Sequence, residues 1–141
     1  MTATADDLLE QARTARRERR FDDAQQHYQA AVAVLRESGE PLRLAHTIRH
    51  LGDVLHEAGR PSIAEPHYRE ALALYRRHPE APSLDVANAI RSLAVLTEHA
   101  GNAEEANRLW AEAHDRYVAL GVKAGAAESA VRRARLQSKT P

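Results

Sequence analysis

The chain has no cysteine among its 141 residues. That excludes disulfides, a thiolate zinc site and a cysteine nucleophile together. It is also poor in rings: aromatic residues make up only 4%, with one tryptophan and one phenylalanine, and alanine recurs throughout, a mixture that favours close-packed helices over a sheet. A charge excess of either sign is missing too. Lys plus Arg and Asp plus Glu each count 20, so no global field draws the protein to nucleic acid or to an anionic membrane. Basic runs exist at Arg13 to Arg20 and Arg132 to Lys139, but Glu18 interrupts the first and no aromatic for base stacking accompanies the second. Nucleic acid is therefore not an expected partner. Nor does any stretch reach the roughly 18 apolar residues that span a bilayer. Met1 to Glu10 has no basic start followed by an apolar run, so a cytoplasmic location with no membrane contact is the expectation.

What is present is a repeat. Three segments align: Arg19 to Leu35, Gly59 to Tyr75 and Gly101 to Tyr117. Each holds an alanine, a large aromatic four residues later and another alanine three beyond that. The trios are Ala24, Tyr28, Ala31; Ala64, Tyr68, Ala71; and Ala106, Trp110, Ala113. From Ala24 to Ala64 is 40 residues and from Ala64 to Ala106 is 42, about the length of two helices with their turns. Small, large, small at spacings of four and three lies on one helical stripe, where alanine lets backbones approach and the ring fills the space. Upstream of each trio is a second helix with its own stripe: Leu8, Ala12, Ala15; Ile48, Leu51, Gly52, Leu55; and Ile90, Leu93, Ala94, Thr97. The unit is helix A, turn, helix B, and the fold class is all-α.

The punctuation supports that division. Asp22 with Gln25, Ser62 with Glu65 and Asn102 with Glu105 have capping-box spacing at the start of each helix B. Gly39, Gly59, Gly101 and Gly121 stand where helices should end in a left-handed residue. Pro41, Pro79 and Pro82 fall between B and A helices, and Pro66 is placed in the first turn of its helix. One domain, 1–141, is expected, with repeats at about 5–40, 41–80 and 82–120. A capping helix at about 124–138 should carry Ala130, Ala134 and Gln137 inward.

On these residues the chain resembles the tetratricopeptide repeats, whose small residue, glycine, aromatic and alanine pattern it carries, with Ala12 and Ala94 where the family's helix-A glycine is kept only as Gly52. The period exceeds the family's usual length of about 34 and is most similar to the longer variant of kinesin light chain and many bacterial repeat proteins. The resemblance implies a right-handed α-solenoid and a non-catalytic scaffold in which the A helices line a groove for a protein or peptide. Carried over residue by residue, that groove presents Arg13, Arg17, His46, Arg49, His50, Asp53, Asn88, Arg91 and Arg132, with Asp6, Leu9, Arg16, Glu57, Glu98 and Glu128 beside them. A peptide of mixed or acidic charge suits this surface better than an apolar helix. The family's carboxylate clamp for chaperone tails would fall on Leu9, Arg13, Asp53, Arg91 and Val95, of which only two keep a positive donor, so chaperone-tail binding is not expected.

A second chemistry is written in His46, His50 and Asp53, spaced four and three on one face of a helix. Neutral imidazoles with a carboxylate suit zinc, nickel or cobalt, so a small-ligand or metal-responsive regulator is the alternative function. The spacing permits a site without specifying one, and no cofactor is expected. Nothing resembles a phosphate loop, a strained nucleophile turn or an oxyanion hole, so the chain is not read as an enzyme. Leu8, Leu9 and Ala12 have no preceding helix to cover them, which makes a homodimer through the exposed ends an expectation. The abundance of alanine and arginine fits a bacterial source.

Overall fold

A computed structural model describes residues 2–138; Met1 and the tail from Lys139, which closes the second basic run, lie outside them. Every regular element among the described residues is an α-helix: α1 (Ala5–Arg17), α2 (Phe21–Ser38), α3 (Pro41–Glu57), α4 (Pro61–Arg76), α5 (Ser83–His99), α6 (Ala103–Leu120) and α7 (Lys123–Ser138). They fall into two compact units, 1–79 with α1 to α4 and 80–141 with α5 to α7. Within each unit, helices pack on their neighbours in chain order. None is long and apolar enough to cross a membrane.

In the amino-terminal unit the core is made by the stripes expected from the spacing. Ala24, Ala31, Ala64 and Ala71 are wholly inaccessible, and Tyr28 and Tyr68 are buried among them. Ile48, Leu51 and Leu55 of α3 close the layer. Each such aliphatic side chain contributes about 1.5–3 kcal/mol on burial. The closest approach is at Gly52, where a Cβ would stand 2.7 Å from Cε1 of Tyr68. The glycine is there because the ring occupies the place of a side chain. In the carboxy-terminal unit Ile90, Leu93, Ala94 and Thr97 of α5 are buried, as are Ala106, Trp110, Ala113 and Tyr117 of α6. Gly125 of α7 repeats the close approach, its absent Cβ lying 2.7 Å from the Tyr117 ring.

The left-handed positions are as expected: Gly39, Gly59, Gly101 and Gly121 all have positive φ. Arg19, which aligns with Gly59 and Gly101, adopts φ 60° without being glycine, a conformation that costs an L-residue about 1–2 kcal/mol. Its guanidinium lies 5.0 Å from the centre of the Phe21 ring.

Several helix starts differ from expectation. Of the three expected boxes only that of Asn102 caps its helix, its side chain accepting from the Glu105 backbone N–H at 3.3 Å. The N-caps of α2 and α4 are Arg20 and Arg60, which make no side-chain capping bond. Asp22 and Ser62 therefore sit inside the first turn, where their carboxylate or hydroxyl no longer faces the free N–H groups. A full capping box occurs instead at Thr4 and Asp7 of α1. With Pro61 opening α4, Pro66 lies in the second turn rather than the first.

The terminal helices also correct the reading. On α7 the buried residues are Ser129 and Leu136, while Ala130, Ala134 and Gln137 are exposed. The contact of Gly125 with Tyr117 turns the stripe through 125, 129 and 136 toward α6, one residue away from the alanines. On α1, Leu9, Ala12 and Ala15 are buried and Leu8 only partly so. The apolar end face expected at Leu9 and Ala12 is covered within the unit.

Candidate functional site

Two A helices of the amino-terminal unit, α1 and α3, wall a cavity of about 620 Å³. Arg13, Arg16 and Arg17 line it from α1, Arg43, His46, Thr47 and His50 from α3, with Asp6, Leu9, Tyr28 and Glu57 completing it. Arg13 and Arg17, four apart, share one face of α1. Arg43, Thr47 and His50 form the facing stripe on α3 by the same rule. Tyr28 reaches in from α2, its ring buried and its hydroxyl without a hydrogen bond among the described residues.

The charges in this cavity are unevenly compensated. Arg16 donates from Nε to both carboxylate oxygens of Glu57, at 2.9 and 3.0 Å, and from Nη2 to one of them. That bidentate pair holds the Arg16 guanidinium still more firmly in its charged form. Arg43 pairs with Asp6. Arg17 donates to the Thr14 hydroxyl at 3.1 Å, but neither it nor Arg13 forms an ion pair among the described residues.

The α3 wall of the cavity carries the histidine cluster. The Nε2 atoms of His46 and His50 share a hydrogen bond at 3.0 Å. Nδ1 of His50 is 3.4 Å from Oδ2 of Asp53 and 3.3 Å from Nη1 of Arg16. The ring of His50 thus stands between His46 and Asp53, one nitrogen toward each, and stacks beside Tyr28. The three residues are neighbours, yet their donor atoms do not converge. Among the described residues no group of three or more histidine or carboxylate side chains is arranged to hold a metal ion.

Asp53 does not line the cavity and is strongly engaged. Burial works against its charge, but hydrogen bonds from His50 and from the Tyr68 hydroxyl (2.6 Å), with the charge of Arg49, hold its carboxyl below the usual range. Arg49 lies 3.5 Å from it, with 12% of its side chain exposed. Both residues expected in the groove are part of the packing beneath it.

The carboxy-terminal unit treats its candidate residues in the same way. Asn88 accepts from the Tyr117 hydroxyl at 2.7 Å. Arg91 forms a bidentate pair with Glu128, Nη2 to Oε2 at 2.9 Å, and that hydrogen bond lowers the Glu128 pKa. Arg132 donates to Glu98 at 3.2 Å while its guanidinium lies 5.5 Å from the Trp110 ring centre, and Glu98 also accepts from the indole N–H at 3.0 Å. Asn88, Arg91 and Arg132 therefore join helices within their own unit. Of the residues expected to meet a partner, Arg13, Arg17, His46 and His50 are brought to a common cavity, with Asp6, Leu9, Arg16 and Glu57 expected beside them.

Arg43, Thr47 and Tyr28 line that cavity without having been expected to. For Arg43 and Thr47 the signal was available, since they continue the stripe of His46 and His50 by one turn. Tyr28 reads as core from its spacing, and nothing in the spacing tells that its hydroxyl end faces outward.

The model of the tetratricopeptide repeat matches residues 3–77 of this chain. Among solved structures, BtubC (BKLC) from P. vanneervenii superposes with a TM-score of 0.69 at 20% identity. The match covers 95% of this chain and 63% of that one, so this chain spans less than two thirds of its length. No curated protein matches the sequence.

Proposed function

This chain belongs to the tetratricopeptide repeat family, and we propose that it is a non-catalytic scaffold that binds a protein or peptide through its A helices. The observation that carries this reading is the cavity between α1 and α3, lined by Arg13 and Arg17, which have no acidic partner among the described residues. Buried or bidentate arginines hold a fold together, whereas uncompensated ones facing a concavity are available to a ligand. The partner-binding set narrows accordingly to Arg13, Arg17, His46 and His50. Arg49, Asp53, Asn88, Arg91 and Arg132 act in support, by fixing the helices that present the face.

The wider setting belongs to the same proposal. The chain is taken as one array of repeats working in the cytoplasm of a bacterial cell, without nucleic acid or membrane as partner. Self-association through the amino-terminal end would have to use the part-exposed Leu8, since Leu9 and Ala12 are covered. The alternative, a metal-responsive regulator at His46, His50 and Asp53, is not favoured, because the two nitrogens of His50 face different partners. A rise in melting temperature with micromolar Zn²⁺ or Ni²⁺ would restore it.

A photo-crosslinking amino acid placed at Arg17, compared with one at the exposed Gln29 of α2, tests the scaffold reading in cells of the source organism. The expected result is a discrete protein adduct from position 17 and none from position 29. Equal labelling from both positions would count against the A-helix face as the binding surface.

A further inference from the structure

We infer that His46 and His50 form a proton-operated latch on the α3 wall of the cavity, closed while the pair holds at most one extra proton and opened by the second. The latch goes beyond the binding reading above and works without a partner. Its ground is the 3.0 Å contact between the two Nε2 atoms, with the rings edge to face and their centres 4.4 Å apart. A hydrogen bond between imidazole nitrogens needs one N–H and one lone pair. Two neutral rings supply these in either direction, and so does a neutral ring beside a protonated one. Two protonated rings have no lone pair left, so the contact becomes N–H against N–H and cannot persist.

The groups around His50 decide where the first proton goes. Its Nδ1 lies 3.4 Å from Oδ2 of Asp53 on the same helix and 3.3 Å from Nη1 of Arg16 on α1. Arginine only donates, and the Asp53 carboxylate, engaged by Tyr68 of α4 and by Arg49, only accepts. An unprotonated Nδ1 therefore turns to Arg16 and a protonated one to Asp53. With one extra proton, His50 donates from Nδ1 to Asp53 and from Nε2 to His46. From α2 the Tyr28 ring stacks beside it, centre to centre at 6.3 Å.

A second proton finds no such acceptor. In the cavity wall Arg16 and Arg43 are paired with Glu57 and Asp6, while Arg13 and Arg17 have no ion pair among the described residues. The second imidazolium would thus form against the first and on a surface with uncompensated arginines. His46 is exposed and His50 part-buried, so His46 is the ring that swings into solvent. The unfolded chain takes both protons freely, so the closed form is lost as pH falls below the ordinary histidine value of about 6.5. Opening widens the cavity at α3 and adds positive charge to it, which makes its occupancy depend on pH.

Histidine ring spectra recorded from pH 8 to pH 5, with EDTA present to exclude metal, test the latch. Long-range proton–nitrogen correlations should show the His46 and His50 rings titrating in two shared steps. In His46→Gln the His50 ring should titrate in one step, and in the reciprocal His50→Gln so should His46. Nuclear Overhauser contacts between the two rings should be present at pH 8 and lost at pH 5 with far-UV circular dichroism unchanged. If the chain unfolds in acid before the rings part, His46→Gln should move the acid midpoint to lower pH. Ring contacts that persist at pH 5 in the folded protein, independent single steps in the wild type, or an acid midpoint unmoved by His46→Gln would each overturn the latch.

Discussion

Adding one methyl group at position 52 sets two opposing effects of similar size against each other. Alanine is favoured over glycine inside a helix by about 1 kcal/mol, so Gly52→Ala in α3 would stabilise the protein if space allowed. It does not: the new Cβ would meet Tyr68 carbons at 2.7, 2.9 and 3.2 Å, where ordinary contact begins at 3.4 Å. The ring would have to retreat by roughly 0.7 Å to restore an ordinary contact. It has nowhere easy to go, being 1% exposed and tied through its hydroxyl to Asp53 at 2.6 Å. Overpacking of a filled core costs about 1–3 kcal/mol, and weakening a hydrogen bond to a charged group costs about 1 kcal/mol more. After subtracting the helix-propensity gain, Gly52→Ala should destabilise by about 1–3 kcal/mol. Urea unfolding followed by far-UV circular dichroism measures it, with the m-value checked for a change in cooperativity. The double variant Gly52→Ala with Tyr68→Leu should recover part of the loss, so that the cycle shows coupling above about 0.5 kcal/mol. A single variant as stable as the wild type, or an uncoupled cycle, would refute the claim that the ring sets the residue at 52.

Three further outcomes are expected. Tyr68→Phe leaves one oxygen of a mostly buried Asp53 without its donor, at about 1–2 kcal/mol in the same urea assay. Arg19→Gly relieves a left-handed residue at φ 60°; after the loss of its contact with Phe21, the net gain should be about 0.5–1 kcal/mol, read as a higher midpoint. The His67 pKa is lowered by burial, so the unfolded chain binds its proton more readily. That stability is present above the ordinary histidine value of about 6.5 and is lost as pH falls through the lower folded value. Unfolding midpoints should drop between pH 7.5 and 5.5, and the drop should shrink in His67→Gln.

The helical core could be read along the chain because its signals are local. Ala24, Tyr28 and Ala31 need only the helical period to fall on one stripe, and a glycine at 39 or 59 announces a left-handed turn without reference to distant residues. Helix starts were harder: Asp22 and Ser62 have capping-box spacing, but Arg20 and Arg60 end the preceding turns and start the helices two residues earlier. On α7 the abundance of alanine pointed to the wrong face, since the side that packs is chosen by where the Tyr117 ring meets Gly125. The site itself was legible as a set of side chains and not as a charge distribution. Whether an arginine is available depends on partners 34 to 41 residues away, as for Arg16 with Glu57, Arg91 with Glu128 and Arg132 with Glu98. No spacing rule within one helix reports those pairs.

The bonds that join helix-B rings to helix-A side chains limit how such a protein can be altered. Asp53 holds Tyr68, Glu98 holds Trp110 and Asn88 holds Tyr117, so changing any of these three to alter what is recognised also loosens a buried ring. Recognition and folding are under joint constraint there, and variants selected for a new partner would need a second, compensating substitution. The first hairpin escapes this coupling, because among the described residues the Tyr28 hydroxyl bonds to no helix-A side chain. Around Tyr28, Arg13 and Arg17 can change with little effect on stability, so on the proposed scaffold function α1 is the place where new specificities would arise by single substitutions.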